Sequence, residues 1–158
     1  WGIYIKMKFK EDAVLYVVYK ALKEYGYGKI DRLQVVKILY LLDKTLKEIT
    51  GEKLSDYTYI LERLGPYDQN IVVDLTKLVK SGKLNTTESY YEYILGNIDE
   101  DDEKKIKEVE KVILQMGSEI ITKIKEIFEL GKNSSQLLDT VHALKEVKGK
   151  NRMEIILD

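Results

Sequence analysis

Apolar residues recur at spacings of three and four along most of this chain, which is the pattern of amphipathic helices. This spacing predicts helices over 12–25, 31–50, 68–81, 101–130 and 134–145. The second helix has the widest apolar stripe, which includes Leu33, Val36, Leu39, Leu42, Leu46 and Ile49. Because so wide a stripe needs cover on more than one side, this segment is predicted to be the central core helix.

Polar residues and glycines mark the ends of these helices. Asp31 followed by Gln34 is a capping-box pair, and Asp68 is placed to cap the third helix. Gly82 is placed to end that helix in a left-handed conformation. Asn133 and Gln136 form a second capping pair, which predicts that the last helix begins at 134.

The segment between the second and third helices follows a different pattern. Aromatic and β-branched residues alternate from Tyr57, which predicts a strand that ends by Leu64. Pro66 is the only proline in the chain, and it disfavours helical geometry at Gly65. We therefore predict a corner at Gly65–Pro66 that leads into the third helix.

A short hairpin is predicted behind the third helix. Residues 83–85 and 91–95 have strand character and are separated by a polar turn. A helix followed by a glycine and a short hairpin is typical of the end of a winged-helix domain.

The segment 101–130 is the longest helical pattern, and Gly117–Ser118 would kink it or split it into two helices. Its near-heptad spacing leaves two alternatives, a coiled-coil seam that forms a homodimer and a helix that packs within the monomer. We expect packing within the monomer. The apolar tail at 153–157 is predicted to be either an edge strand or a mobile end.

Together these elements predict a mainly α (α+β) fold, with a small winged-helix-like β element and C-terminal helices. We expect a helical domain at 7–98 and a helical extension at 99–158 that packs on it as one unit. Because the chain opens on Trp1, Met7 is a candidate native start.

Composition excludes several classes of function. The 158 residues include no cysteine, which excludes disulfides, thiolate metal sites and cysteine catalysis. The net charge of −1 gives no general attraction to nucleic acid.

No apolar run approaches the about 20 residues that span a bilayer. No secretory leader is recognisable, so we expect a soluble, cytoplasmic protein with no membrane partner. Abundant Lys, Glu, Ile and Tyr are typical of proteins from hot environments.

No motif for catalysis, metal binding or a cofactor is found. His142 is the only histidine, and we predict that it is a hydrogen-bonded packing residue. The acidic run at 99–103 fails as a calcium loop, because Asp102 occupies the position that requires glycine. The tyrosines of the core-like segments are predicted to bury their rings and direct their hydroxyls outward.

The most informative surface is the outward side of the third helix together with the corner before it. The candidate binding residues are Arg63, Tyr67, Gln69, Asn70, Val73, Lys77 and Lys80. On a recognition helix, Gln and Asn would read adenine edges and the lysines would contact phosphates. Few arginines and a negative net charge oppose DNA binding. An ordinary solvated helix surface is the remaining alternative, although an exposed Val73 favours a partner.

Several segments resemble the SocA-like antitoxin family, also called Panacea domains, and its archaeal and bacillar relatives. The resemblance covers about 7–95, and it rests on Gln34-Val35-Val36-Lys37-Ile38-Leu39-Tyr40-Leu41-Leu42-Asp43, Arg63-Leu64-Gly65-Pro66-Tyr67, Asp74-Leu75, Leu78-Val79 and Gly82-Lys83-Leu84. It implies a non-enzymatic domain that neutralises a toxin or delivers a partner to a protease.

We therefore expect an antitoxin-like or adaptor-like protein-interaction module. The alternative is a winged-helix-like transcriptional regulator that binds DNA as a dimer through the 101–130 helices. An enzyme would need carboxylates such as Glu62 and Asp68 to converge in a cleft, and nothing in their spacing demands this.

Overall fold

The structure is a computed structural model that describes residues 9–158, which form helices and short strands. The helices are α1 (Glu11–Lys23), α2 (Arg32–Thr50), α3 (Gln69–Lys80), α4 (Glu100–Gln115), α5 (Glu119–Gly131), α6 (Ser134–His142) and α7 (Lys145–Lys148). The strands are β1 (Ile30–Asp31), β2 (Tyr59–Glu62), β3 (Gly65–Tyr67), β4 (Leu84–Thr86), β5 (Glu92–Leu95) and β6 (Ile155–Leu157). This mainly helical chain with small antiparallel sheets confirms the predicted α+β class.

Helix α2 is the central helix, as its wide apolar stripe predicted. Its capping box is present, since Asp31 accepts from the Gln34 amide and Gln34 accepts from the Asp31 amide. Helices α1, α5 and α6 and strand β3 all pack against it. Its buried apolar residues are Val35, Val36, Ile38, Leu39, Tyr40, Leu41, Leu42 and Leu46.

The predicted hairpin behind α3 is confirmed. Strands β4 and β5 pair antiparallel, with Leu84 opposite Leu95. The two-residue strand β1 pairs with the other side of β5 and gives the order β1–β5–β4. Periodicity could not reveal β1, because two residues directly before a helix are too few to show alternation.

The predicted corner at Gly65–Pro66 is wrong. Chain reversal occurs one step earlier, at Arg63–Leu64, and Gly65–Tyr67 returns as β3 with Glu62 opposite Gly65. A two-residue connection of this kind makes a tight hairpin. Pro66 is tolerated because β3 is an edge strand, in the order β3–β2–β6, and an edge position does not need every amide. The C-terminal tail forms strand β6 at the opposite edge of this sheet.

Helix α3 forms as predicted. The Asp68 side chain accepts from the Asn70 amide at 2.8 Å and caps its N-terminus. Ile71, Leu75 and Leu78 are buried, and this face of α3 packs against α1. Gly82 follows with a positive φ of 80°.

The segment 101–130 is split at Gly117 and Ser118 into α4 and α5, rather than forming one long helix. Helix α4 packs on α1, and α5 packs on α2. The apolar residues of the near-heptad pattern are buried inside the chain: Ile106, Val109, Ile113, Ile120 and Ile127. Leu114 and Ile121 remain exposed.

The prediction of one helix over 134–145 is wrong at its C-terminal end. Asn133 caps α6 through the Gln136 amide at 3.0 Å, but α6 ends at His142. Leu144 has an extended backbone, and the short helix α7 follows. This break lets the chain turn from α6 towards β6.

Of the tyrosines in core-like segments, Tyr16, Tyr40, Tyr57 and Tyr59 have buried rings as predicted, whereas Tyr19 is only partly buried. Two of the hydroxyls point inward rather than outward. Tyr57 donates to Asp74 at 2.5 Å, and Tyr59 donates to Asp43 at 2.9 Å. Asp43 also accepts from the backbone amides of Leu54 and Ser55. A buried carboxylate requires such donors, so the tyrosines hold polar groups inside the core.

Candidate binding groove

A cleft of about 390 Å³ opens beside the β2–β3 hairpin. Its lining comes from α2, from the hairpin and from the segment before β6. The lining residues are Leu33, Lys37, Glu62, Arg63, Leu64, Gly65, Tyr67 and Arg152. Leu64 lies in the hairpin turn and exposes 38% of its surface, so the apolar lining reaches the rim of the cleft.

Lys37 is a buried cation in the lining of this cleft. It lies in the middle of α2 and only 1% of its surface is exposed. Its Nζ donates to the carbonyl oxygen of Pro66 at 2.5 Å. Among residues 9–158 it forms no ion pair, and burial lowers its pKa from 10.5 to about 8.

The other charges of the cleft lie near its surface. Arg63 and Arg152 are both exposed, although they are far apart in sequence. Among residues 9–158, the only acidic residue that lines the cleft is Glu62, whose Oε2 lies 3.8 Å from Nη2 of Arg152. In the described chain, Arg63 has no carboxylate within ion-pair distance. Three cationic side chains therefore face one carboxylate.

His142 closes over the edge of the hairpin. The histidine is exposed, and no hydrogen bond holds its ring within residues 9–158, so the prediction that it is hydrogen-bonded is wrong, although its ring does lie against Gly65. A Cβ atom added to Gly65 would lie 3.2 Å from the Cδ2 atom of His142. Because Gly65 also has a φ of 102°, only glycine fits this approach of α6 to β3 comfortably.

Two further cavities continue the cleft along the start of α2. A cavity of about 140 Å³ shares Leu33 and Lys37 with the cleft and also reaches Asp31 and Gln34. A third, of about 490 Å³, shares Asp31 and Gln34 with the second and extends to Lys29. These three cavities form one run, which we call the α2 groove.

The candidate binding residues predicted from sequence fall on two surfaces. Arg63 and Tyr67 line the cleft. The remaining residues lie on the exposed side of α3, and they are Gln69, Asn70, Val73, Lys77 and Lys80. Val73 is 42% exposed, as predicted.

Two acidic residues of this region have structural roles. Asp74 on α3 is buried and accepts from Tyr57. Asp68 uses both carboxylate oxygens, one for the Asn70 amide and one for the Thr58 amide. Asp68 therefore does not join Glu62 in the cleft.

Sequence reasoning missed Lys37 and Arg152. Lys37 lies between Val36 and Ile38 in a helix that is apolar on several sides. This pattern could have predicted that the lysine is buried. Arg152 had no such signal, because it lies in a short tail and reaches the cleft only when β6 pairs with β2.

The described part of the chain contains no cluster of three or more side chains suited to metal binding. No helix within residues 9–158 has the length and apolar character needed to cross a bilayer. Comparisons with protein-family models, curated proteins and solved structures find no significant match to this chain.

Proposed function

We propose that this protein is a non-enzymatic protein-interaction module, antitoxin-like or adaptor-like, that binds its partner at the β2–β3 hairpin. One observation carries the proposal: Arg63, Leu64 and Tyr67 converge with Leu33 and Arg152 in one open cleft. Arginine and tyrosine beside exposed apolar side chains form the kind of surface on which protein partners find anchors. The resemblance to the SocA-like family supports the same class of function.

Site-specific cross-linking tests this proposal. A photoreactive p-benzoylphenylalanine at position 64 would lie at the rim of the cleft, whereas the same group at position 114 would lie on exposed α4. In the native host, we expect a protein adduct from position 64 and not from position 114. The adduct partner is then purified and tested with the Leu64→Asp variant, which should bind at least about tenfold more weakly. Identical adducts from both positions, or none from position 64, would refute the proposal.

A winged-helix-like DNA-binding regulator is the second candidate. Its support is the order α1, β1, α2, α3, β4 and β5, which the β2–β3 hairpin interrupts after α2, and the sheet order β1–β5–β4. Helix α3 would then be the recognition helix, and the β4–β5 loop with exposed Tyr90 and Tyr91 would be the wing. The acidic Glu88 in this loop opposes the proposal, because DNA affinity depends largely on neutralising phosphates. A dimer would form through the exposed Leu114 and Ile121.

Salt-dependent binding separates the two candidates. For the DNA-binding alternative, duplex DNA from upstream of the gene should bind, and Lys77→Glu with Lys80→Glu should lower the salt slope by about 2. Lys123→Glu with Lys125→Glu on α5 makes the same change of charge on exposed residues and serves as the matched control. Absence of binding at low salt would eliminate the DNA-binding alternative.

A further inference from the structure

The cleft has a surplus of positive charge that the chain as a whole does not have. The protein carries a net charge of −1 and only three arginines, yet two of these, Arg63 and Arg152, line the same cleft. Lys37 adds a third cation, and Glu62 is the single acid that the described part of the chain contributes to the cleft. This local surplus predicts an anionic ligand.

Lys37 has unused capacity to bind such a group. An ammonium group has three N–H donors, and the carbonyl oxygen of Pro66 accepts one of them. Within the described chain no carboxylate balances this buried charge. A charge in this position is costly unless it is paired, so an incoming carboxylate would stabilise it strongly.

The shape of the α2 groove indicates an extended ligand rather than a single small anion. Its three successive cavities share residues along the first turns of α2, from Leu64 at the hairpin to Lys29 near β1. Apolar side chains line the groove together with the polar groups: Leu33 and Leu64 in the cleft, and Leu137 and Leu138 in the next cavity. An extended peptide places successive side chains on opposite sides and would match this mixed lining.

We propose that the α2 groove binds an extended acidic segment of the partner protein, with a carboxylate seated among Lys37, Arg63 and Arg152. The inference rests on the proposed protein-interaction function and names the chemistry of the partner. Apolar side chains of the segment contact Leu33 and Leu64, and charge complementarity selects aspartate or glutamate over their amides.

A pair of labelled synthetic peptides tests this inference by fluorescence anisotropy. One peptide alternates leucine with glutamate, and the other alternates leucine with glutamine, so that shape is kept and charge is lost. The acidic peptide should bind at least about tenfold more tightly than the amide peptide. Arg63→Gln with Arg152→Gln should abolish most of this preference, while Lys123→Gln with Lys125→Gln on α5 should leave it intact.

A variant expected to strengthen binding is needed, because unfolding could weaken binding but could not strengthen it. Among the described residues, Asp31 and Glu92 line the two further cavities, and Glu62 is the only acid that lines the cleft where the carboxylate is proposed to sit. Glu62→Gln removes this acid and should tighten binding of the acidic peptide severalfold. Equal affinity for the two peptides, or no response to Glu62→Gln, would overturn the inference. That result would leave the proposed function standing if position 64 still cross-links to a partner, so the two failures are distinguishable.

Discussion

The amine of Lys37 lies 2.5 Å from the carbonyl oxygen of Pro66 and joins the middle of the central helix α2 to the edge strand β3. The contact places a lysine on the inner side of the hairpin. It also gives the buried carbonyl oxygen of Pro66 a hydrogen-bond donor. This hydrogen bond ties the hairpin to the central helix, and burial of the amine, which lowers its pKa, makes the stability of the fold dependent on pH.

Lys37 should make stability rise with pH in the alkaline range. Its pKa is about 8 in the folded chain and 10.5 in the unfolded chain, so between these values the unfolded chain binds more protons. The free energy of unfolding should therefore increase by about 1 kcal/mol between about pH 8 and pH 9 relative to Lys37→Met. Urea denaturation of both proteins across this range measures the difference.

The control for this prediction is Lys80→Met on the exposed side of α3. The free energy of unfolding of this variant should change with pH in the same way as that of the wild-type protein. If the free energies of unfolding of Lys37→Met and the wild-type protein changed with pH in parallel, the lowered pKa of Lys37 would be contradicted.

Tyr57 and Asp74 should be energetically coupled. Tyr57→Phe leaves the buried carboxylate of Asp74 without its hydroxyl donor, which should lower the free energy of unfolding by about 1–3 kcal/mol. Adding Asp74→Asn to the Tyr57→Phe variant should lower the free energy of unfolding by less than Asp74→Asn does alone, because the Tyr57 hydroxyl is already absent. A double-mutant cycle from chemical denaturation measures this coupling. Tyr19→Phe is the control, since its hydroxyl has no hydrogen-bond partner within residues 9–158, and it should be nearly neutral.

Gly65→Ala should destabilise the protein by about 1–3 kcal/mol, because alanine is strained at a φ of 102° and its Cβ would lie 3.2 Å from His142. Adding His142→Ala should restore part of the loss, since it relieves the contact but not the backbone strain. Gly149→Ala is the matched control, with a φ of −95° and no neighbour within 4 Å. Thermal unfolding compares the three variants, and an equal effect at both glycines would refute the close approach of α6 to β3.

Gly131→Ala tests how closely the end of α5 approaches α2. A Cβ at this position would lie 2.7 Å from Cδ1 of Ile38 and 2.6 Å from the hydroxyl oxygen of Tyr27. Overpacking of this kind should cost about 1–3 kcal/mol. Ile38→Val makes room, so the double variant should be less destabilised than the sum of the two single variants. Additive effects in chemical denaturation would show that α5 does not pack on α2 at this point.

Much of the fold follows from local rules that can be read in the sequence. The capping box of Asp31 and Gln34, the Asp68 cap and the pairing of β4 with β5 all depend on residues close to one another in the chain. Helix α2 was recognisable as central because its apolar stripe is too wide to be covered by one neighbour. Such features are predictable because hydrogen bonding and burial over a few residues decide them.

The errors in the prediction arise where distant segments decide the outcome. Gly65–Pro66 suggested a corner, but pairing of β3 with β2 makes it an edge strand and moves the turn to Arg63–Leu64. The hydroxyls of Tyr57 and Tyr59 turn inward because buried carboxylates on α3 and α2 need donors. His142 is exposed because α6 ends there and the chain turns away. None of these results could come from the spacing of residues alone.

The sequence by itself determined to within a residue where α1, α2, α3, α4 and α6 begin, which of their sides are apolar and that the outward side of α3 carries exposed polar residues, because these depend on periodicity and on capping within one turn. Only the tertiary structure decided that Lys37, Arg63 and Arg152 share one cleft. Pairing of β6 with β2 and of β3 with β2 brings these three cations together from positions far apart in the chain, and no local rule specifies such contacts.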